Sequence, residues 1–285
     1  MKMKLKKCIL AVVVSCFTLI NVSALQVHAA TNVRETEPND TRETATEITA
    51  NRETPAQAVS GSRPNQYVVH GSTKAGDDDW FRVYLNAGTQ YVTLNGDSYY
   101  SFDVYTEFGT NPIISDEFVR GEFGSKAFSF RASTAGYYYV KIYTNMSSTR
   151  DYTMLVGDPT YTVASCYVEL GSVSMQGSDR VIPVDLRWET VIPEDAIVYS
   201  MTVNNVRSTA VKGITVRNST TSNTINLNSS TWSKDGLVSL SMPVRSNWQV
   251  TFEYSKNTTF TPTVRLQFVY PVTSEYLEDD ITIGL

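Results

Sequence analysis

Phe81-Arg82-Val83-Tyr84-Leu85-Asn86 decides the fold class. Apolar side chains fall on every second position, the period of a half-buried strand. The same period recurs at Val92 and Leu94, at Phe102 and Val104, and at Phe128 and Phe130. It returns at Tyr138, Val140 and Ile142, and again at Tyr152, Met154 and Val156. Asn-Gly, Phe-Gly and Ala-Gly pairs punctuate these runs. Short alternating strands between turn residues predict antiparallel sheets with one wet face each. Only 41–48 carries a helical signature, and a weak one.

Gly157-Asp158-Pro159 interrupts the pattern, because proline cannot donate to a sheet ladder. Beyond it, strands are expected at 162–170, 181–188, 196–203, 210–217, 236–243, 247–254 and 262–270. Between them, 218–234 is rich in Ser, Thr and Asn and reads as a long loop or an irregular edge strand. Each half is close to the commonest domain size. The expected architecture is all-β, with two β-sandwich domains in tandem at 30–158 and 159–285, after a cleaved signal peptide at 1–29.

The leader is legible in its chemistry. Lys2, Lys4, Lys6 and Lys7 precede an apolar run at 8–20, and Val27-His28-Ala29 has the small-residue pattern of a cleavage site. Ser15, Asn21 and Ser23 interrupt the run, which is short for a membrane span. Secretion is therefore the expectation. The alternative is a lipid anchor through Cys16, since Val13-Val14-Ser15-Cys16 loosely resembles a lipobox. No membrane span is expected in the rest of the chain.

Cleavage would change the charge that matters. The 285-residue chain has 24 basic and 29 acidic residues, and the leader removes four lysines and no acids. That leaves 20 against 29, a net charge of −9. Nucleic acid is excluded as a partner, because phosphate binding draws on clustered Lys and Arg. Cys8 and Cys16 also leave, so Cys166 stands alone, without an intramolecular disulfide and with the character of a small buried hydrophobe. His70 is the one histidine beyond the leader, which excludes a His-rich zinc site. No G-x-S-x-G elbow accompanies it, and no phosphate-cradling glycine loop is present. A non-catalytic protein is expected, with hydrolase activity in the C-terminal half as the remaining enzymatic alternative. Trp188, Trp232 and Trp248 in that half are candidate core or binding aromatics.

Two acidic segments stand out. Arg34-Glu35-Thr36-Glu37-Pro38-Asn39-Asp40 concentrates oxygen ligands, and Gly76-Asp77-Asp78-Asp79-Trp80 places three aspartates before a strand. Calcium takes six to eight such oxygens. From these residues alone the segments are either solvated acidic loops or the two sides of a cation site. On the strand starting at Tyr137, core parity falls on Tyr138, Val140 and Ile142. Tyr137, Tyr139, Lys141 and Tyr143 share the other face. Tyrosines there either pair across strands or form a contact surface.

These segments, in this order, carry a family resemblance. Glu37-Pro38-Asn39-Asp40-Thr41, Gly71-Ser72, Gly76-Asp77-Asp78-Asp79-Trp80-Phe81, Phe102-Asp103-Val104-Tyr105, Ala135-Gly136-Tyr137-Tyr138 and Asp151-Tyr152-Thr153-Met154 resemble the bacterial pre-peptidase C-terminal domains. These include the collagen-binding domains of clostridial collagenases. The resemblance spans about 35–156 and implies a jelly-roll-like sandwich. It implies Ca²⁺ held by Glu35, Glu37, Asn39, Asp40, Asp77 and Asp79, with the Ser72 carbonyl as a further ligand. The acidic turn is about one residue shorter than in the collagenase domains, so the choice between Asp77 and Asp78 stays open. Tyr139 and Tyr143 match a collagen-contacting stripe, whereas Asn145 replaces another of its tyrosines. The expected partner is therefore an extracellular protein or polysaccharide, matrix proteins included. The function expected is binding or adhesion, and the alternative is an accessory or propeptide-like partner of a secreted protease or other exported enzyme.

Overall fold

The computed structural model describes residues 29–119, 125–272 and 280–284. The predicted leader up to residue 28, Cys16 included, lies outside the described residues, as does the acidic stretch 275–279.

Strand is almost the sole regular secondary structure of the described chain. Its first half comprises β1 (Thr31–Arg34), β2 (Thr46–Ile48), β3 (Tyr67–Thr73), β4 (Asp79–Leu85), β5 (Gly88–Gly96), β6 (Tyr99–Thr106), β7 (Ile114–Val119), β8 (Ser125–Ala132), β9 (Gly136–Tyr143) and β10 (Arg150–Gly157). They form two five-stranded sheets, ordered β1-β3-β10-β5-β8 and β2-β4-β9-β6-β7. The alternation read from sequence becomes the space between them. Phe81, Val83 and Leu85 of β4 and Val140 and Ile142 of β9 meet Val92, Leu94, Met154 and Val156 from the other sheet. Each fully buried side chain of this size contributes about 1.5–3 kcal/mol of transfer free energy.

The second half comprises β11 (Tyr161–Glu169), β12 (Val173–Met175), β13 (Arg180–Asp185), β14 (Ile197–Asn204), β15 (Val211–Asn218), β16 (Thr224–Asn226), β17 (Ser233–Asp235), β18 (Asn247–Tyr254), β19 (Thr258–Phe260), β20 (Thr263–Pro271) and β21 (Asp280–Gly284). Its sheets run β17-β14-β20-β11-β21 and β13-β18-β15-β16, with β12 and β19 paired apart. A separate apolar core lies among these strands, including Cys166, Trp232 and Trp248.

Between the halves, the Asn51 side-chain amide donates to the carbonyls of Asp158 (2.6 Å) and Pro159 (3.3 Å). Gly157 passes so close that a Cβ there would lie 2.6 Å from the Asn51 carbonyl oxygen. Arg63 pairs with the buried Glu53 at 3.0 Å and donates to the Tyr161 carbonyl at 3.2 Å.

Several expectations are corrected. The sheets are mixed at their margins, since β1–β3, β2–β4 and β11–β21 are parallel pairs. The 41–48 segment is a turn leading into β2. The helix instead is α1 (Pro55–Ser60), which has a capping box between Thr54 and Gln57, Pro55 in its first turn and left-handed Gly61 after its end. No strand forms over 236–243, because Gly236 (φ 74°) and Ser241 (φ 47°) adopt left-handed backbone that a strand cannot hold. The strand expected at 181–188 stops at Asp185, whose carboxylate accepts the Arg187 backbone N–H at 3.1 Å and turns the chain.

Candidate metal centre

The parallel pairing of β1 with β3 brings Glu35 to the rim of the first sheet, where its N–H donates to the His70 carbonyl at 3.1 Å. The Ser72 backbone N–H donates to Glu35 Oε1 at 2.7 Å. After Glu37 the chain folds under the second sheet. The Asn39 N–H donates to Glu37 Oε2 at 3.0 Å, and the Trp80 N–H donates to the Asn39 carbonyl at 2.9 Å. Asn39 is thereby tied to β4, whose first residue is Asp79. The turn before β4, closed by the Asp77 N–H donating to the Lys74 carbonyl at 3.0 Å, separates the three aspartates. Asp79 turns inward and Asp77 lies with Glu37 and Asp40. Asp78 pairs with Lys141 at 2.7 Å on the opposite face.

Two trios result. Glu35, Glu37 and Asp79 each bring a carboxylate oxygen within 4.8 Å of the others, and so do Glu37, Asp40 and Asp77. Glu37 belongs to both. Asp79 and Asn39 are fully buried. The Tyr152 hydroxyl donates to Asp79 Oδ2 at 2.7 Å. Asp79 Oδ1 and both side-chain polar atoms of Asn39 have no hydrogen-bond partner. Buried polar atoms are seldom left in this state. Burial, with Glu35, Asp77 and Glu37 as repelling neighbours, pushes the Asp79 carboxyl up to about 8. Burial also raises Glu35 and Asp77, helped at Asp77 by the charge of Asp40. The cradle closes only because residue 71 is glycine, since a Cβ there would fall 2.4 Å from the Tyr152 ring and 2.6 Å from Glu35 Oε2.

The donors are all oxygens, the chemistry of a hard cation. Partnerless buried oxygens beside crowded carboxylates fit such an ion, and these clusters can hold a metal. Ser72 meets the group through its amide and, at 3.4 Å, its hydroxyl, both directed at Glu35. A cleft of about 640 Å³ opens beside Glu35 and Glu37.

The outer face of β9 carries Tyr137, Tyr139, Lys141 and Tyr143, all half-buried. Tyr137 meets Tyr84 edge-on, with ring centroids 5.4 Å apart, and the Arg82 guanidinium lies 3.5 Å from its ring centre. Lys141 Nζ sits 4.5 Å from the Tyr143 centroid. Sequence reasoning missed three members of this face. Trp80 stacks on Tyr105 at 5.3 Å, and the Arg42 guanidinium lies 4.4 Å from the centroid of Tyr105, 5.2 Å from Trp80 and 5.6 Å from Tyr139. Parity had signalled Trp80 and Tyr105, since both alternate with core residues. Nothing local signalled Arg42, which arrives on the loop that carries Asp40.

His70 Nε2 lies 2.8 Å from Asn32 Oδ1, and Cys166 is buried with its thiol pushed up to about 12 by desolvation. Among the described residues, no helix is long and apolar enough to cross a membrane.

No family model and no curated protein matches the chain. A protein from Eubacterium rectale that is predicted to be secreted superposes with a TM-score of 0.50 at 10% identity, over 87% of this chain and 89% of that one. That likeness shows the fold alone. The pre-peptidase C-terminal domain of a Bacillus anthracis collagenase aligns with 39% of this chain and 93% of its own, at a TM-score of 0.30 and 17% identity. The periplasmic g-type lysozyme inhibitor PliG of Aeromonas hydrophila aligns with 39% of this chain and 98% of its own, at 0.26 and 13%. Neither of these two carries an argument about function.

Proposed function

We propose that this is a secreted, non-catalytic binding protein whose first β-sandwich is clamped by Ca²⁺ and presents the tyrosine face of β9 to an extracellular protein or polysaccharide. The observation that carries the reading is the burial of Asn39 and Asp79 without partners inside two carboxylate trios. Glu35, Glu37, Asn39, Asp40, Asp77 and Asp79 would hold the ion, which supplies the positive charge that lets these oxygens stay ionised together. The affinity is on the order of 10⁻⁴ to 10⁻³ M, as in other extracellular modules.

The chain's own residues make the connection to the face. Asn39 fastens the ligand loop to Trp80. Two residues beyond Asp40, Arg42 reaches over Trp80, Tyr105 and Tyr139 and donates to the Gly109 carbonyl at 2.6 Å. A fixed ligand loop therefore fixes the arrangement of the face. Tyrosine and tryptophan suit such a surface, giving large contact area with a polar tip.

A solid-phase screen against fibrillar collagens, other matrix proteins and cell-wall glycans tests this, with paired wells in millimolar Ca²⁺ and in EDTA. Capture by one ligand, dependent on Ca²⁺ and lost in a Tyr139→Ala/Tyr143→Ala variant, is expected. Capture unaffected by that variant would remove the tyrosine face from the account. Absence of capture throughout would favour an accessory partner of an exported enzyme.

A further inference from the structure

The second half carries a feature that the metal centre does not explain. Trp188 is 75% exposed, whereas Trp232 and Trp248 lie in the core. The turn presenting it is anchored at both ends by fully buried Leu186 and Ile192. Its neighbour Arg187 is gripped by Asp185, Nε donating to Oδ1 at 3.0 Å and Nη2 to Oδ2 at 2.8 Å. The clamped guanidinium sits 5.6 Å from the Trp188 ring centroid. Arg245 donates to the Arg187 carbonyl through Nε and Nη2, at 3.4 and 3.3 Å. The indole is thus held out toward water on a braced support. An apolar plane that folding leaves exposed and fixed has the makings of a contact platform.

Asp185 also lines a groove of about 620 Å³ on the outer face of β13, β18 and β15. Strand register places Asp185 beside Asn247, and Gln249 between Pro183 and Arg217. The lining is therefore a row of planar amide, carboxylate and guanidinium groups, linked at its Asp185 end through Arg187 to the exposed ring of Trp188. Asp185 neutralises Arg187, but Arg217 and Arg245 form no ion pair among the described residues. With half-buried Glu189 of the same turn counted against Arg217 and Arg245, the patch keeps one net positive charge on a chain of net charge −5.

We propose that Trp188 and this groove form a binding site for an acidic polysaccharide. A pyranose ring lays its apolar C–H face on the indole, hydroxyls meet Asn247 and Gln249, and a carboxylate or phosphate substituent meets Arg217. Guanidinium forks suit either anion, and the stacking plane selects a sugar over a bare anion. This site is independent of the metal centre.

Affinity electrophoresis of the purified protein tests the proposal. Native gels would contain polygalacturonate, alginate or a phosphate-bearing pyranose polymer (a phosphomannan), with fully methyl-esterified polygalacturonan as the uncharged control on the polygalacturonate backbone. Retardation by at least one acidic polymer is expected at 0.15 M salt, with at least ten-fold weaker binding in Trp188→Ala. Arg217→Ala should abolish the preference for the acidic over the esterified polymer. Both sites are exposed, so both variants should melt as wild type does. Carboxylate-bearing and phosphate-bearing gels separate the two sources of charge. No retardation by any acidic polymer, equal retardation by the esterified one, or retardation that survives Trp188→Ala would each overturn the proposal.

Discussion

Asp79→Asn should stabilise the metal-free protein and lose that advantage as the metal is added. Asp79 is fully buried, its Oδ1 has no partner, and carboxylate oxygens of Glu35 and Glu37 lie within 4.8 Å. Two unit negative charges 4.8 Å apart repel by about 3.5 kcal/mol at an effective dielectric of about 20. Metal-free protein escapes part of this by protonating Asp79, so the realised penalty is on the order of 1–3 kcal/mol. Asparagine keeps the shape, removes the charge and can still accept from Tyr152. In EDTA the variant should be more stable by about 1–2 kcal/mol, a rise of roughly 2–6 °C in Tm. In 10 mM Ca²⁺ the gap should narrow by about 0.7–2.7 kcal/mol. Wild type gains about 1.4–2.7 kcal/mol for a Kd of about 10⁻³ to 10⁻⁴ M, while the variant, short of one charged ligand, gains less than half of that. Thermal melts followed by circular dichroism in the two buffers suffice. A variant that is less stable than wild type in EDTA and responds equally to Ca²⁺ would refute the reasoning, because Asp79 would then be an ordinary buried hydrogen-bonding group.

Gly71→Ala should cost about 1–3 kcal/mol by overpacking against Tyr152 and Glu35, and should raise the Ca²⁺ concentration needed for half-maximal stabilisation. A calcium response identical to wild type would show that the cradle does not depend on that close approach. Arg63→Ala removes the partner of Glu53, a carboxylate that burial already raises above its ordinary pKa. A raised carboxylate is least costly to the fold below its unfolded pKa of about 4.5 and loses stability as pH rises through its folded value. The variant's deficit, about 1–3 kcal/mol at pH 7 because Arg63 is partly exposed, should therefore shrink toward pH 4.5, as measured by urea unfolding at both pH values. Cys166, its thiol pushed up to about 12, should resist iodoacetamide at pH 8 in native protein and react once unfolded. Rapid native labelling, read by mass spectrometry, would place it outside the core.

What the sequence disclosed was whatever a strand repeats. Phe81, Val83 and Leu85 announce their own burial, because period two leaves one face for the core. The choice between Asp77 and Asp78 stayed open in the sequence, because both precede the first residue of β4 and no strand repeat reaches them. What stayed hidden depends on chain returns. The parallel strand β1 was invisible because its four residues gain order from β3, thirty-six positions away, rather than from an apolar pattern. Arg42 gave no signal because its three ring partners come from β4, β6 and β9. The turn at Asp185 was written in the Asp-x-Arg pattern, where the aspartate caps the backbone two residues on, but the alternating run through Leu186 masked it. The short helix after Thr54 was legible by its capping box and was passed over because six residues carry no helical periodicity.

Isothermal titration of the purified protein with Ca²⁺, against an EDTA-stripped reference and a Glu37→Gln variant, tests the central claim most directly. Glu37 is the one residue shared by both trios. The account predicts saturable binding with a Kd on the order of 10⁻⁴ to 10⁻³ M, a higher Tm in millimolar Ca²⁺ than in EDTA, and loss of both in the variant. No binding heat together with a Tm unmoved by millimolar Ca²⁺ or EDTA would contradict it, and the two acidic segments would then hold no Ca²⁺.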